Sequence, residues 1–258
     1  MTRQRAAAVT LPTPELMLRK ATLARSAVTR AKYAQRGLSH DGKVDQTTRN
    51  MLLRQLYLSH MEGKRFADAL VVAEQMLNGA VMPDVAHQDA ARACLGLRDS
   101  DRAVLHLRLA SRVSPPTRRA FHLWTLGTVL YFSGRYPEAI GALSRAARWG
   151  TTDKPLYRGQ LVLARLSAGE AANSDGQVGF ARERLEEAPC GQGYGQFVLG
   201  ELAYHDGDWL AAERYLTAFL RRTTGGRVAL EVALAAEIAR ARRLVRQIRQ
   251  QKRRRAAG

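Results

Sequence analysis

Leu126-Gly127, Gly134-Arg135-Tyr136-Pro137-Glu138-Ala139-Ile140 and Leu143-Ser144-Arg145-Ala146 return later in the chain. They come back as Leu199-Gly200, Gly207-Asp208-Trp209-Leu210-Ala211-Ala212-Glu213 and Leu216-Thr217-Ala218-Phe219. The offset is 73 positions at each main anchor, about two units of 36. Self-similarity at such a period marks a repeat array, in which each unit is one supersecondary element and neighbours bury a shared core. An array of this kind offers surface to a partner. It does not by itself contain a reaction.

Working outward, helical periodicity defines further units. Leu52, Leu53, Leu56, Tyr57 and His60 share one helix, Gly63 ends it, and Phe66, Ala69, Leu70, Ala73, Met76 and Leu77 continue on a second. Ala90, Ala91 and Cys94, a turn at Asp99-Ser100-Asp101, then Ala103, Leu107 and Ala110 form the next unit, which stops at Pro115-Pro116. Aligning the second helices through Ala69, Ala103, Ala139 and Ala212 gives gaps of 34, 36 and 73. A degenerate unit fills the last gap. Leu161, Val162, Leu166 and Gly169 supply its first helix, and Val178, Phe180, Ala181 and Leu185 its second, with a polar turn at Asn173-Ser174-Asp175-Gly176 between them. Ahead of the array, Thr13-Pro14-Glu15 is a helix start, and an apolar stripe of Leu16, Leu23, Ala27, Val28, Ala31 and Ala34 runs toward Gly37, with room for a break near Ser26.

This pattern resembles the tetratricopeptide-repeat (TPR) family. The unit carrying Leu126-Gly127, Gly134, Tyr136, Ala139, Leu143 and Ala146 and the unit at 193–222 match it well, those at 50–83 and 84–117 moderately, and 155–190 poorly. The resemblance covers about 170 of the 258 residues. It implies an all-α, right-handed α-solenoid of about five TPR-like helix–turn–helix repeats, in which Gly127, Ala139, Gly200 and Ala212 let helices approach closely. It is nearly silent on chemistry, since function must be argued from a site. The Lys/Asn set of two-carboxylate-clamp TPRs is not matched, so a heat-shock-chaperone adaptor is not implied.

Charge divides the chain. Residues 1–36 carry eight Lys/Arg against Glu15 alone, and residues 238–258 carry nine with no acid, out of a total net charge of +18. The body between is nearly neutral. The expected organisation is a basic N-terminal helical region over 1–45, the solenoid over 46–222, and a basic capping helix and tail over 223–258. In the last segment Leu234, Ile238, Ala241, Val245 and Ile248 step by 4, 3, 4 and 3 along a helix. Past Arg249 no apolar face remains, and fraying into solvent is expected.

Catalytic signals are weak. The six histidines form no HExxH, HxH or CxxH spacing, and His205-Asp206-Gly207-Asp208 sits where the repeat needs its turn. Cys190-Gly191-Gln192-Gly193-Tyr194-Gly195 lacks a P-loop's Lys-Ser/Thr and a preceding strand, and reads as a flexible inter-repeat joint. Cys94 and Cys190 lie far apart and are expected as reduced thiols. No run of 18 apolar residues exists, and Pro12 and Pro14 interrupt any secretory signal. The expectation is therefore a cytoplasmic, non-catalytic scaffold, adaptor or chaperone-like holder without cofactor or metal.

Its partner is expected to be a protein, acidic or extended, held in a groove lined by first helices. Candidate groove residues are Arg54, Arg92, Arg119, His122, Trp124, Arg165 and Gln196. Trp209 is expected in the core, and Trp124 and Trp149 either there or in the groove. The alternative is a nucleic-acid-associated accessory protein whose basic ends bind phosphates, through Arg242, Arg243, Arg246, Arg249, Lys252, Arg253, Arg254 and Arg255. Oligomeric state and pathway leave no mark in the sequence.

Overall fold

The structure is a computed structural model that describes residues 13–40, 42, 44–170, 176–225 and 228–257. The described residues form fourteen α-helices and one short 3-10 turn, with no strand. They divide after Val81 into two compact units. The basic segment ahead of Thr13, the turn residues Asn173, Ser174 and Asp175, and the side chain of Arg255 lie outside the described residues.

The first unit holds α1 (Pro14–Leu23), α2 (Ala27–Leu38), α3 (Gln46–Glu62) and α4 (Phe66–Leu77). Thr13 caps α1 with Pro14 in its first turn, as its sequence requires. The chain then breaks at residues 24–26, and Ser26 starts α2 by accepting from the Thr29 backbone N–H at 3.1 Å. The break resets the helical phase. Leu23 and Val28, expected on the apolar stripe, are exposed, while Met17, Ala21 and Ala34 are buried. Gly37 is tight against its neighbours, since a Cβ there would stand 2.8 Å from Leu52 and 3.1 Å from Met17. The N-terminal region is thus a helical hairpin packed on α3.

The second unit continues with α5 (Pro83–Gly96), α6 (Ser100–Val113), α7 (Pro116–Phe132), α8 (Tyr136–Trp149), α9 (Lys154–Ser167), α10 (Gln177–Glu186), α11 (Gly195–His205) and α12 (Trp209–Thr223). Each packs on the next in chain order. The quoted rhyme has a steric meaning. A Cβ on Gly127 would meet Leu143 Cγ at 2.5 Å, and one on Gly200 would meet Leu216 Cγ at 2.6 Å. Both glycines let the first helix of a repeat lie against the second.

The turns follow one geometry. Gly134 (φ 73°), Gly169 (φ 75°) and Gly207 (φ 79°) occupy the left-handed region between first and second helices. In the two earlier repeats Lys64 (φ 55°) and Arg98 (φ 63°) hold that conformation instead. Those repeats keep the backbone without the glycine that advertises it. The unit at 155–190 departs furthest: Phe180, expected in its core, is exposed beneath Arg184.

Two further helices complete the unit, α13 (Val228–Ala233) and α14 (Ala235–Ala257). Ile238, Ala241, Leu244, Val245 and Ile248 bury one face of α14, which packs on α11 and α12. Ile248 joins Ala203, Ala211 and Ala212 in a small apolar cluster. The expected fraying past Arg249 does not occur: α14 stays helical to Ala257. Glu213 of α12 gives a physical reason, because it accepts from Arg249 Nε at 2.8 Å and Lys252 Nζ at 2.6 Å.

Candidate interaction site

The first helices α7, α9 and α11 pack side by side in the second unit, and their side chains meet on one face, termed the inner face. Trp124 of α7 stacks on Tyr157 of α9 with ring centroids 5.8 Å apart. Its edge-to-face contact with Tyr194, just ahead of α11, is 4.9 Å. Tyr131, one helix end further along α7, donates from its hydroxyl to Glu201 of α11 at 3.2 Å. The connection after α12 also returns inward, since α13 packs against α5.

Two glutamates are buried within the inner face. Glu201 is 0% exposed and receives Arg240 Nε of α14 at 2.5 Å on its other oxygen. Burial raises the pKa of Glu201 even so, outweighing Arg240 and the Tyr131 hydrogen bond. Glu237, in the first turn of α14, accepts from the Tyr194 hydroxyl at 3.1 Å. Burial pushes its pKa up to about 7, with Glu201 adding repulsion. The Arg240 guanidinium pairs with Glu201, while the side-chain partner of Glu237 is the neutral Tyr194 hydroxyl.

A second polar centre lies between α5 and α7. Asp84 is 1% exposed and accepts two hydrogen bonds from Arg118, at 2.7 and 2.9 Å. His122 Nε2 lies 3.0 Å from the same carboxylate. Burial opposes ionisation of Asp84, but the Arg118 and His122 hydrogen bonds hold its pKa below the usual range. The imidazole of His122 is pushed down, chiefly by its own burial.

The candidate groove residues separate. His122 is committed to Asp84 and Trp124 to the aromatic cluster. Arg92 pairs with Asp89 at 3.3 Å, and Arg165 lies 3.7 Å from Glu170. Arg119 donates to the Ser114 carbonyl and lies over the half-exposed Trp149 ring. Gln196 contacts Gln192 at 3.5 Å. Arg54 is half-buried on α3 in the first unit. Trp209 packs at the edge of the Ile248 cluster. The residues that bind this face together, Asp84, Tyr131, Glu201, Glu237 and Arg240, were not singled out in the sequence. Glu201 left a signal: it is the lone charge in Phe197-Val198-Leu199-Gly200-Glu201-Leu202-Ala203, 73 positions after Thr128.

The glycine loop before α11 is packed rather than loose. A Cβ on Gly191 would lie 2.2 Å from the Leu185 carbonyl oxygen, and one on Gly195 would lie 2.1 Å from that of Cys190. Burial pushes the Cys190 thiol up. Asp208 of the His205–Asp208 stretch caps α12 by accepting from the Ala211 N–H at 3.0 Å. Among the described residues no group of three or more His, Cys, Asp or Glu side chains is arranged to hold a metal ion.

The outer face of α14 differs from the inner one. Arg242, Arg243, Arg246, Arg253 and Arg254 are exposed, and among the described residues no carboxylate lies within ion-pair distance of them. Arg249 and Lys252, grouped with them in the sequence, spend charge on Glu213. Among the described residues no helix is long and apolar enough to cross a membrane.

No protein-family model and no curated protein matches the chain in sequence. Solved structures do match in fold. PilF of Pseudomonas aeruginosa aligns over 83% of this chain and 94% of its own, at 19% identity and a TM-score of 0.51. A kinesin-light-chain-like protein with TPR-like repeats from Podospora anserina aligns over 84% of this chain and all of its own, at 14% identity and a TM-score of 0.45. The successive helix pairs among the described residues, the matching glycine contacts at Gly127 and Gly200, 73 residues apart, and the likeness to PilF agree on the architecture. The described residues have the fold of an α-solenoid of TPR-like helix pairs.

Proposed function

We propose that this chain is a non-catalytic, cytoplasmic protein–protein interaction scaffold whose partner is acidic. The observation that carries this reading is the exposed arginine face of α14, held rigidly on the solenoid with no carboxylate partner among the described residues. Cations mounted on a fixed element steer and orient an acidic partner. On the inner face Trp124 is packed against Tyr157 and Tyr194, and the tyrosine hydroxyls of Tyr131 and Tyr194 are bonded to Glu201 and Glu237. A nucleic-acid accessory role uses the same arginines. It is less well supported, since residues 235–257 include no aromatic side chain on which bases could stack.

Affinity capture from native lysate with quantitative mass spectrometry tests the proposal. An acidic protein should co-purify in near-stoichiometric amount and leave as salt is raised. Recovery of nucleic acid alone, or of no protein above background, would refute it. Removing α14 is a poor control, because it uncovers Ala203, Ala211 and Ala212. Charge-altering substitutions on its outer face keep that core covered.

A further inference from the structure

We infer that the outer face of α14 is a docking site for an acidic α-helix of a protein partner. This rests on the scaffold reading above and gives that partner a shape. Arg242, Arg246 and Arg253 share one row of the helix with Arg249, and Arg243 and Arg254 form the neighbouring row. The first row extends about 16 Å at 1.5 Å per residue. Basic side chains one turn apart at this spacing match carboxylates one turn apart on a second helix.

The molecule already contains one such recognition. Glu213, on the neighbouring helix α12, is bracketed by Arg249 at 2.8 Å and Lys252 at 2.6 Å, which lie three residues apart on α14. Arg242 and Arg246, four residues apart, likewise lie one helical turn from each other, with no carboxylate within ion-pair distance among the described residues. Guanidinium groups suit the task, since their planar forks bind carboxylates with fixed direction.

Other occupants fit less well. A membrane surface would require apolar side chains beside the cations, yet the exposed positions among them are Ala235, Ala236, Ala239, Gln247 and Gln250. A single nucleic-acid strand would require aromatic platforms, which residues 235–257 lack.

The test is a fluorescence titration of the full chain with three labelled probes. They are a helical peptide with glutamates at i, i+4 and i+11, a proline-interrupted peptide of the same composition, and a single-stranded oligonucleotide of equal charge. The helical peptide should bind tightest and weaken as salt rises. Combined Arg242→Glu, Arg246→Glu and Arg253→Glu substitutions should weaken it by roughly tenfold or more with circular dichroism unchanged. The corresponding glutamine substitutions should give an intermediate loss, which separates charge loss from misfolding. Equal binding of both peptides removes the helical partner. An oligonucleotide that binds tighter than the helical peptide makes the face a phosphate-binding surface instead. If the substituted chain still captures its acidic protein from lysate, the scaffold stands and this site falls.

Discussion

The two faces of α14 are made from the same chemistry and put it to opposite uses. Facing inward, Arg240 meets Glu201 and Glu237 meets Tyr194, and each charge or hydroxyl finds a partner within the chain. Facing outward, Arg242, Arg246, Arg253 and Arg254 have no carboxylate within ion-pair distance among the described residues, while Arg243 acts on Glu201 only through space. The inner set is buried, so it fixes where the helix sits. The outer set is exposed, so it contributes little to folding and is available to another molecule. Net charge alone does not distinguish the two; the positions of the carboxylates do.

The contrast is broken most severely from the inside. Arg240→Ala leaves Glu201 buried without its guanidinium and should destabilise the fold by about 3 kcal/mol in denaturant unfolding. The loss should be greater at pH 8 than at pH 5, since Glu201 takes up a proton more readily in acid. Gly200→Val drives a side chain into Leu216 and should cost about 2 kcal/mol. Gly141→Ala, with nothing within 4 Å of the added carbon, should instead stabilise by up to about 1 kcal/mol.

Glu237 gives the comparison a pH axis. Its carboxyl is raised from 4.5 to about 7 in the folded chain. The folded state therefore holds more protons than the unfolded one between those values, and its contribution to stability falls as pH rises through that window. His122, His87 and His205 are all pushed down by burial, so their contribution runs the other way, lost as pH falls below 6.5. Relative to the parent chain, Glu237→Gln should accordingly tilt the Tm profile upward with rising pH between 5 and 7, and leave the histidine-dependent loss in acid. An unchanged profile would mean that Glu237 is solvated.

Smaller still are the left-handed turns. Lys64→Gly and Arg98→Gly remove a Cβ from backbone that suits glycine, and each should stabilise by about 1 kcal/mol in thermal unfolding. Smallest of all, the glutamine substitutions at Arg242, Arg246 and Arg253 should shift stability by no more than about 0.5 kcal/mol.

The repeat architecture was legible wherever a packing constraint selects one residue type. Gly127 and Gly200 stand out because the opposing leucine leaves no space for a side chain. Lys64 and Arg98 conceal the same turn, and the earlier repeats matched less well for that reason. The N-terminal stripe was misphased because the break at 24–26 changes which residues share a face. The ordering of α14 past Arg249 was hidden because it depends on Glu213, 36 residues earlier than Arg249. The inner polar set escaped for the same reason. Tyr131 and Glu201 are 70 residues apart, and no local pattern brings them together.

Photo-crosslinking of the captured acidic partner, with adducts mapped on the full chain, tests the central claim most directly. The account predicts adducts on α14 between Arg242 and Arg254, lost on charge reversal there. Adducts on the inner faces of α7, α9 and α11, around Trp124 and Tyr194, would contradict it.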